Sequence, residues 1–182
     1  AAGNSGPNPS SSISPANNPS AFAVGAVNNS DQILSLSSRG PTACGQNART
    51  FPDVAAPGWD IRTTGLAGSY VTATGTSLAA PHAAGALALL VSTFPGLSVA
   101  DQQAALTGSA VDLGIPGPDN DFGYGRLDAL GAYQWLINGG FVPQSLVPIT
   151  VTTTADTIAN DSQCSLREAV IAANTNGAYG GC

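Results

Sequence analysis

The stretch SLAAPHAAGALALLVSTF, residues 77–94, decides the fold of this chain. It is apolar almost all the way round a helix, which predicts a central, buried helix. Pro81 falls near the first turn, where a missing N–H costs least, and Pro95-Gly96 ends the pattern. Its most apolar part, residues 78–91, is about 14 residues long, whereas a bilayer needs about 20, so we predict no membrane span.

Shorter apolar segments precede this helix. Residues 21–27 (AFAVGAV) form a continuous apolar run, which predicts a strand buried on both faces, as in a parallel sheet. Residues 33–37 (ILSLS) alternate and predict a second strand, and residues 53–56 (DVAA) are a short apolar piece closed by Pro57-Gly58. Strands that alternate with helices predict an α/β fold.

Two more helices are predicted downstream. Ser98 and Asp101 have the spacing of a capping box, which would open a helix that ends near residue 109. Residues 112–125 are rich in Gly, Pro, Asp and Asn and predict a loop. The next helix, roughly residues 128–137, is ended by Asn138-Gly139-Gly140.

The composition excludes several classes of protein. Of 182 residues, 43% are apolar and only 9% are charged, where about 25% charged is typical, so a core is permitted and a disordered polyelectrolyte is excluded. Five basic and eleven acidic residues give a net charge of −6, and no basic run exists to follow a phosphate backbone. We therefore expect no nucleic-acid partner.

The cysteines and the chain ends bear on compartment and completeness. Cys44, Cys164 and Cys182 form no C-x-x-C pair, which disfavours a zinc or thioredoxin-like site. Either Cys164 and Cys182 form a disulfide in an oxidising compartment, or all three thiols are reduced. The sequence has no Met and no visible signal peptide, and both ends look cut, so we expect it to be part of a longer protein.

The segment GTSLAAPH, residues 75–82, carries the candidate chemistry. A serine at the head of a buried helix lies beside unpaired N–H groups and the positive end of the helix dipole. Acyl transfer builds negative charge on a carbonyl oxygen, which the backbone N–H of Ser77 would stabilise. Gly75 has no side chain and would let a substrate backbone approach closely. On the spacing alone, Ser77 is equally well an ordinary N-cap.

Four motifs of this chain match one family, in that family's own order. Residues 75–82 resemble the active-site motif G-T-S-x-A-x-P-H of the subtilisin-like serine proteases. The others are A-A-G-N-x-G at residues 1–6, S-S-R-G-P with P-D-V-x-A-P-G at 37–41 and 52–58, and G-x-G-x-x-(D/N)-A at 123–129. The resemblance implies the C-terminal part of a subtilisin-like catalytic domain, an α/β fold with a partial doubly wound parallel sheet and flanking helices.

The resemblance also implies roles for particular residues. Ser77 would be the nucleophile, and Asn4 would donate its side-chain N–H₂ to the oxyanion beside the backbone N–H of Ser77. Ala1, Ala2 and Gly3 would line the pocket for the residue before the cleaved bond. These residues, with Gly75, are the candidate site.

Two parts of the family's machinery are missing from this sequence. The family requires an Asp in a D-(S/T)-G context and a His in H-G-T-x-V-A-G, and neither motif is present. Their order in the family places both upstream of Ala1. His82 is not a substitute base, because five residues along a helix puts it about 140° round the axis from Ser77. We expect His82 to be structural.

The composition changes after residue 140. Residues 149–153 (ITVTT) alternate and predict a strand, and Ser165 with Glu168 forms a second capping box that opens a helix to about residue 174. C-S-L-R-E-A at residues 164–169 resembles a motif that typically precedes parallel β-helix repeats in large bacterial secreted or surface proteins. The alternative is a strand and a helix packed on the protease domain.

These resemblances imply a domain layout and a function. Residues 1–138 would be the catalytic part, 139–148 a linker and 149–182 the start of a β-helix-type module. The parent would be a secreted bacterial serine endopeptidase, extracellular or at the cell surface, that hydrolyses peptide or protein substrates through an acyl-enzyme on Ser77. Without the triad Asp and His, this chain alone would be inactive.

The alternative function is a non-catalytic surface or adhesive scaffold with a degenerate protease domain, against which the presence of both Ser77 and Asn4 argues.

No cofactor can be assigned from the residues. Asp119-Asn120-Asp121 lacks the Glu that an EF-hand needs at its twelfth position, where Leu130 stands. The family often binds calcium, so the resemblance implies calcium only for the parent protein. The sequence does not indicate an oligomeric state.

Overall fold

The computed structural model of the chain describes residues 1–42, 44, 47–144, 150–155, 158–175 and 178–180. The chain divides into two units, residues 1–144 and 145–182. The predicted linker, residues 139–148, includes this division, and its part from residue 145 onward lies outside the described residues.

A small parallel sheet forms the centre of the first unit. Strand β1 (Val24–Val27) pairs in parallel with β2 (Val54–Pro57). All four residues of β1 are buried, as the continuous apolar run predicts for a strand covered on both faces. The backbone N–H of Ala2 donates to the Val24 carbonyl over 2.9 Å, so the chain that leads to Asn4 lies along the β1 edge.

The strand predicted at residues 33–37 is wrong. Only Ile33 forms a bridge, with Val27, because the chain turns tightly back at residues 28–32. The structure instead contains an antiparallel hairpin, β3 (Ile61–Thr64) and β4 (Tyr70–Ala73), whose strands the sequence pattern does not indicate. Its strands are largely exposed and therefore lack the apolar alternation of a buried strand.

Among the described residues of the first unit, the α-helices are α1 (Thr76–Thr93), α2 (Val99–Gly108) and α3 (Ala129–Asn138). The capping box predicted for α2 is confirmed: the Ser98 side chain accepts from the Asp101 backbone, and the Asp101 side chain accepts from the Ser98 backbone. Helices that flank a parallel sheet confirm the predicted α/β class.

Helix α1 is central but only partly buried. Its inner face packs against β1, β2, α2 and α3 through Ala79, Ala83, Ala86 and Leu90. Its outer face is apolar and exposed, with Leu89 at 65%. Among the described residues α1 is the helix long and apolar enough to cross a membrane, and 28% of it is buried. Because its inner face covers the sheet, we assign it to the core of the first unit.

The second unit contains α4 (Leu166–Thr175). The predicted capping box is confirmed, since Ser165 N–H donates to Glu168 over 3.0 Å and Glu168 N–H donates to Ser165 Oγ over 3.3 Å. The strand predicted at residues 149–153 is wrong over residues 150–153. There the backbone N–H groups of Thr152 and Thr153 both donate to the Cys164 carbonyl, and no ladder of strand hydrogen bonds forms. Residue 149 lies outside the described residues.

Cys164 is buried and disulfide-bonded, which removes the alternative in which all three thiols are reduced. Cys44 is a free thiol, and Cys182 lies outside the described residues. Disulfides persist in oxidising compartments, so this bond bears on where the protein works.

The Glu168 carboxylate gives the second unit a predicted acid sensitivity. Hydrogen bonds from the backbone N–H groups of Ser165 and Ala159 lower the pKa of Glu168 below its usual 4.5. A carboxylate whose pKa is lowered by folding stabilises the folded state at pH values above its usual pKa. This contribution is lost as the pH falls through the lowered pKa. We expect hydrogen-exchange protection of the Ser165 and Ala159 amides to be lost on acidification. Glu168→Gln should remove this pH dependence, whereas Asp161→Asn, at an exposed neighbour, should keep it; equal acid loss in both variants would contradict the assignment.

Candidate active site

The head of α1 begins one residue earlier than predicted, at Thr76, so Ser77 is its second residue. Gly75 precedes the helix with φ 153°, a backbone conformation that favours glycine. A Cβ atom at residue 75 would lie only 3.3 Å from Nδ2 of Asn4. Gly75 is therefore required both by its backbone and by the asparagine beside it.

Thr76 fixes the orientation of the Asn4 side chain. The backbone N–H of Thr76 donates to Asn4 Oδ1 over 3.0 Å, and the Thr76 hydroxyl donates to the same oxygen over 2.9 Å. A backbone N–H is only a donor, so the atom it meets must be the amide oxygen. The Thr76 hydroxyl also accepts from Gly3 N–H over 3.2 Å, which ties residues 3 and 4 to the helix head.

Two N–H donors remain at this helix head. In the described part of the chain, no acceptor is found for the backbone N–H of Ser77 or for Nδ2 of Asn4. The first N–H groups of a helix have no intrahelical partner, and the dipole makes this end positive. The side chain of Ser77 is exposed. The arrangement therefore offers two donors and a hydroxyl where an anion would be favoured.

These groups line a cavity of about 420 Å³. Of the candidate residues, the structure brings Ser77, Asn4, Ala1 and Gly3 to it. The other lining residues, which were not among the candidate site residues, are Ser5, Ile13, Ser14, Pro15, Ala16 and Thr76. The signal for Thr76 was its place between Gly75 and Ser77, and the signal for Ile13 was that it is the one large apolar residue of a polar loop.

Two candidate residues lie elsewhere. Ala2 does not line the cavity; it is fully buried against Ala23 and Phe51. Gly75 is buried and lies behind the Asn4 amide, so its role in the structure is to leave room for that amide.

His82 does not reach this cavity. Its side chain is exposed, and its Nδ1 pairs with the Leu78 carbonyl oxygen over 2.8 Å, so Nδ1 is the donor. It is not among the lining residues. The histidine therefore holds its own helix turn and is not placed to take a proton from Ser77.

A metal site is not formed by the described residues, in which no three His, Cys, Asp or Glu side chains come together. In the loop predicted at residues 112–125, Asp119 Oδ1 accepts from the backbone N–H groups of Asp121 and Phe122, each over 2.8 Å. That carboxylate is used to hold the loop.

The chain is similar to known proteins in both sequence and fold. A model described as the subtilase family matches residues 1–125. Subtilisin amylosacchariticus from Bacillus subtilis subsp. amylosacchariticus is 43% identical over 128 residues, covering 69% of this chain and 30% of that protein. Human membrane-bound transcription factor site-1 protease is 37% identical over 162 residues, which cover 85% of this chain and 15% of that protein. A solved structure, "S41 Psychrophilic Protease", matches with a TM-score of 0.61 and 33% sequence identity, and the match covers 70% of this chain and 46% of the chain in that structure.

A helix-head serine and an oriented asparagine amide thus line one cavity of a unit with a parallel α/β core. With the family match over residues 1–125, the chain belongs to the subtilase family, and the two relatives given above are a subtilisin and a site-1 protease. It spans less than a third of the length of the Bacillus subtilis subsp. amylosacchariticus subtilisin that it matches.

Proposed function

We propose that this chain is the serine-bearing part of a secreted subtilisin-like serine endopeptidase that hydrolyses peptide bonds through an acyl-enzyme on Ser77. One observation carries the proposal. Thr76 holds the Asn4 oxygen with two hydrogen bonds, which leaves the Asn4 N–H₂ as a donor beside the Ser77 N–H. A scaffold would not need two oriented donors around an exposed hydroxyl.

The proposed chemistry assigns each group a task. Ser77 Oγ attacks the carbonyl carbon, and its proton passes to a histidine supplied upstream of Ala1, which an upstream aspartate orients. The Ser77 N–H and Asn4 Nδ2 stabilise the oxyanion of the tetrahedral intermediate. The cavity lined by Ala1 and Gly3 takes the side chain that precedes the cleaved bond. The carbon–nitrogen bond then breaks, and the leaving amine takes the proton from the histidine. Water hydrolyses the resulting acyl-enzyme, which releases the acid and restores the Ser77 hydroxyl.

Two further parts of the proposal concern context. An extracellular or cell-surface location is supported by the disulfide at Cys164. Residues 149–182 would begin a separate β-helix-type module, which is supported by the division of the chain after Gln144 and by the self-contained cap of α4. The coding sequence beyond Cys182 should then encode short strand repeats. A coding sequence without such repeats would contradict the module.

Covalent labelling tests the proposed nucleophile. A fluorophosphonate probe should label Ser77 of the full-length protein, located by mass spectrometry of the peptide, because the histidine activates the hydroxyl. The isolated 182-residue chain should not be labelled above the level of its Ser77→Ala variant. The coding sequence upstream of Ala1 should contain D-(S/T)-G and then H-G-T. Labelling of the isolated chain equal to that of the full-length protein, or a complete gene without those motifs, would refute the proposal.

A further inference from the structure

The cavity beside Ser77 is lined by no residue of the motif SSRGP, residues 37–41. The second residue of this motif, Ser38, is nevertheless a fully buried hydroxyl. Burying a hydroxyl is unfavourable unless it is hydrogen-bonded, so buried hydroxyls have partners. The partners of Ser38 therefore indicate what this residue does.

Ser38 contacts the chain on both sides of Asn4. Its backbone N–H donates to the Gly3 carbonyl over 2.9 Å. Its side-chain Oγ accepts from the backbone N–H of Ser5 over 3.1 Å. A Cβ atom at residue 3 would lie 2.8 Å from the same Oγ, so a glycine there lets the hydroxyl approach the backbone. One buried residue thus holds both neighbours of the asparagine.

The backbone of Asn4 has no comparable support of its own. Within residues 1–42, 44 and 47–144, no hydrogen bond is found for its backbone N–H or its carbonyl. Its side chain is held at Oδ1 by the backbone and hydroxyl of Thr76. The direction of the Nδ2 donor therefore depends on Thr76 and on the placement of the residues on either side of Asn4.

Ser38 is itself anchored on both sides. The backbone N–H of Ser37 donates to the Leu34 carbonyl over 3.0 Å. The backbone N–H of Arg39 donates to Ser11 Oγ over 2.9 Å. A support that is fixed before substrate binds holds a donor in place, so that no reorganisation is needed when charge develops.

We propose that Ser38 is a positioning residue that holds the Asn4 donor of the oxyanion hole. This inference rests on the proposed function, because it assumes that Asn4 Nδ2 stabilises the oxyanion formed when Ser77 attacks. Ser38 does not line the cavity, so its hydroxyl acts on the transition state through Asn4 alone.

Peptide hydrolysis by the full-length protein tests the inference on one fluorogenic substrate. Ser38→Ala removes the acceptor of the Ser5 N–H and keeps the backbone bond to Gly3. The loss of one hydrogen bond corresponds to about a fivefold change in rate, so we expect kcat to fall about fivefold. KM should stay unchanged, because the donor contributes only when negative charge develops on the carbonyl oxygen.

Ser37→Ala is the matched control. Ser37 is equally buried, and its Oγ accepts from the backbone N–H of Ala26 in β1 over 3.1 Å, instead of from a neighbour of Asn4. Each substitution removes one buried hydroxyl that accepts one backbone N–H, so a thermal melt should show a similar loss of stability in both variants. Only Ser38→Ala should lower kcat.

The Asn4→Leu background separates positioning from a general loss of activity. The amide donor is absent there, so Ser38→Ala should not lower kcat any further. If Ser38→Ala does not fold, Ser38→Cys provides the second variant, because a thiol occupies the site but accepts hydrogen bonds only weakly. Its kcat should fall at least about twofold at unchanged KM.

The outcomes distinguish the two proposals. An unchanged kcat in the folded Ser38 variant, an equal fall of kcat in Ser37→Ala, or a further fall in the Asn4→Leu background would overturn this inference alone. No hydrolysis of any peptide, or hydrolysis unchanged by Ser77→Ala, would overturn the proposed function and this inference with it.

Discussion

Ser77→Ala in the full-length protein is expected to lower kcat for peptide hydrolysis by about 10⁶-fold, the magnitude known for loss of the nucleophilic serine in subtilisin. The methyl group cannot form the acyl-enzyme, and only the two oxyanion donors and substrate binding would remain to stabilise the transition state. Ser77 is exposed, and its side chain forms no hydrogen bond with the described residues, so the substitution should leave the folded structure unchanged. Hydrolysis of a fluorogenic peptide and a thermal melt of both proteins measure the two effects.

Ser92→Ala is the matched control for this variant. Ser92 is an exposed serine on the same helix, and its hydroxyl donates only to the Leu89 carbonyl of that helix over 3.1 Å. Its kcat should equal the wild-type value. If Ser77→Ala retained more than about one-hundredth of the wild-type rate while Ser92→Ala retained all of it, another group would be the nucleophile.

Short-range features of this chain were predictable because their partners are close in sequence. The Ser98–Asp101 cap needs only residues three positions apart, and its two hydrogen bonds form as the spacing predicts. The run at residues 21–27 gave β1 because a continuous apolar strand has one stable location, inside the sheet. The hairpin β3–β4 was missed because exposed strands carry no such pattern.

The site was predictable in part, for a related reason. Motif resemblance named Ser77 and Asn4, but nothing local to either shows that Thr76 joins them over 72 positions of sequence. Ala2 was expected in the pocket, yet its backbone N–H donates to the Val24 carbonyl at the sheet, and its methyl group goes into the core with Ala23 and Phe51. Ile13 lines the cavity through a loop whose path depends on bonds to residues 39 and 40.

Asn4→Leu is expected to lower kcat by about 10²–10³-fold with little change in KM, the loss known from removing the side-chain donor of subtilisin. The donor contributes only when negative charge develops on the oxygen, so substrate binding should be nearly unaffected. Leucine has a similar volume, which keeps the cavity filled. Steady-state kinetics on one peptide measure both constants, and an unchanged kcat would exclude Asn4 from the oxyanion hole.

Thr76 should act on the same rate through Asn4. Thr76→Val removes the hydroxyl that donates to Asn4 Oδ1 and accepts from Gly3, but keeps the backbone N–H bond to the amide. Of the two hydrogen bonds lost, the one to Asn4 positions the amide and is worth about 1 kcal/mol, so we expect kcat to fall about 5–10-fold with KM unchanged. Thr76→Ser keeps the hydroxyl and should restore most of the rate. In an Asn4→Leu background Thr76→Val should have no further effect on kcat, because the amide it positions is gone. An additive loss in that double variant would mean that Thr76 acts independently of Asn4.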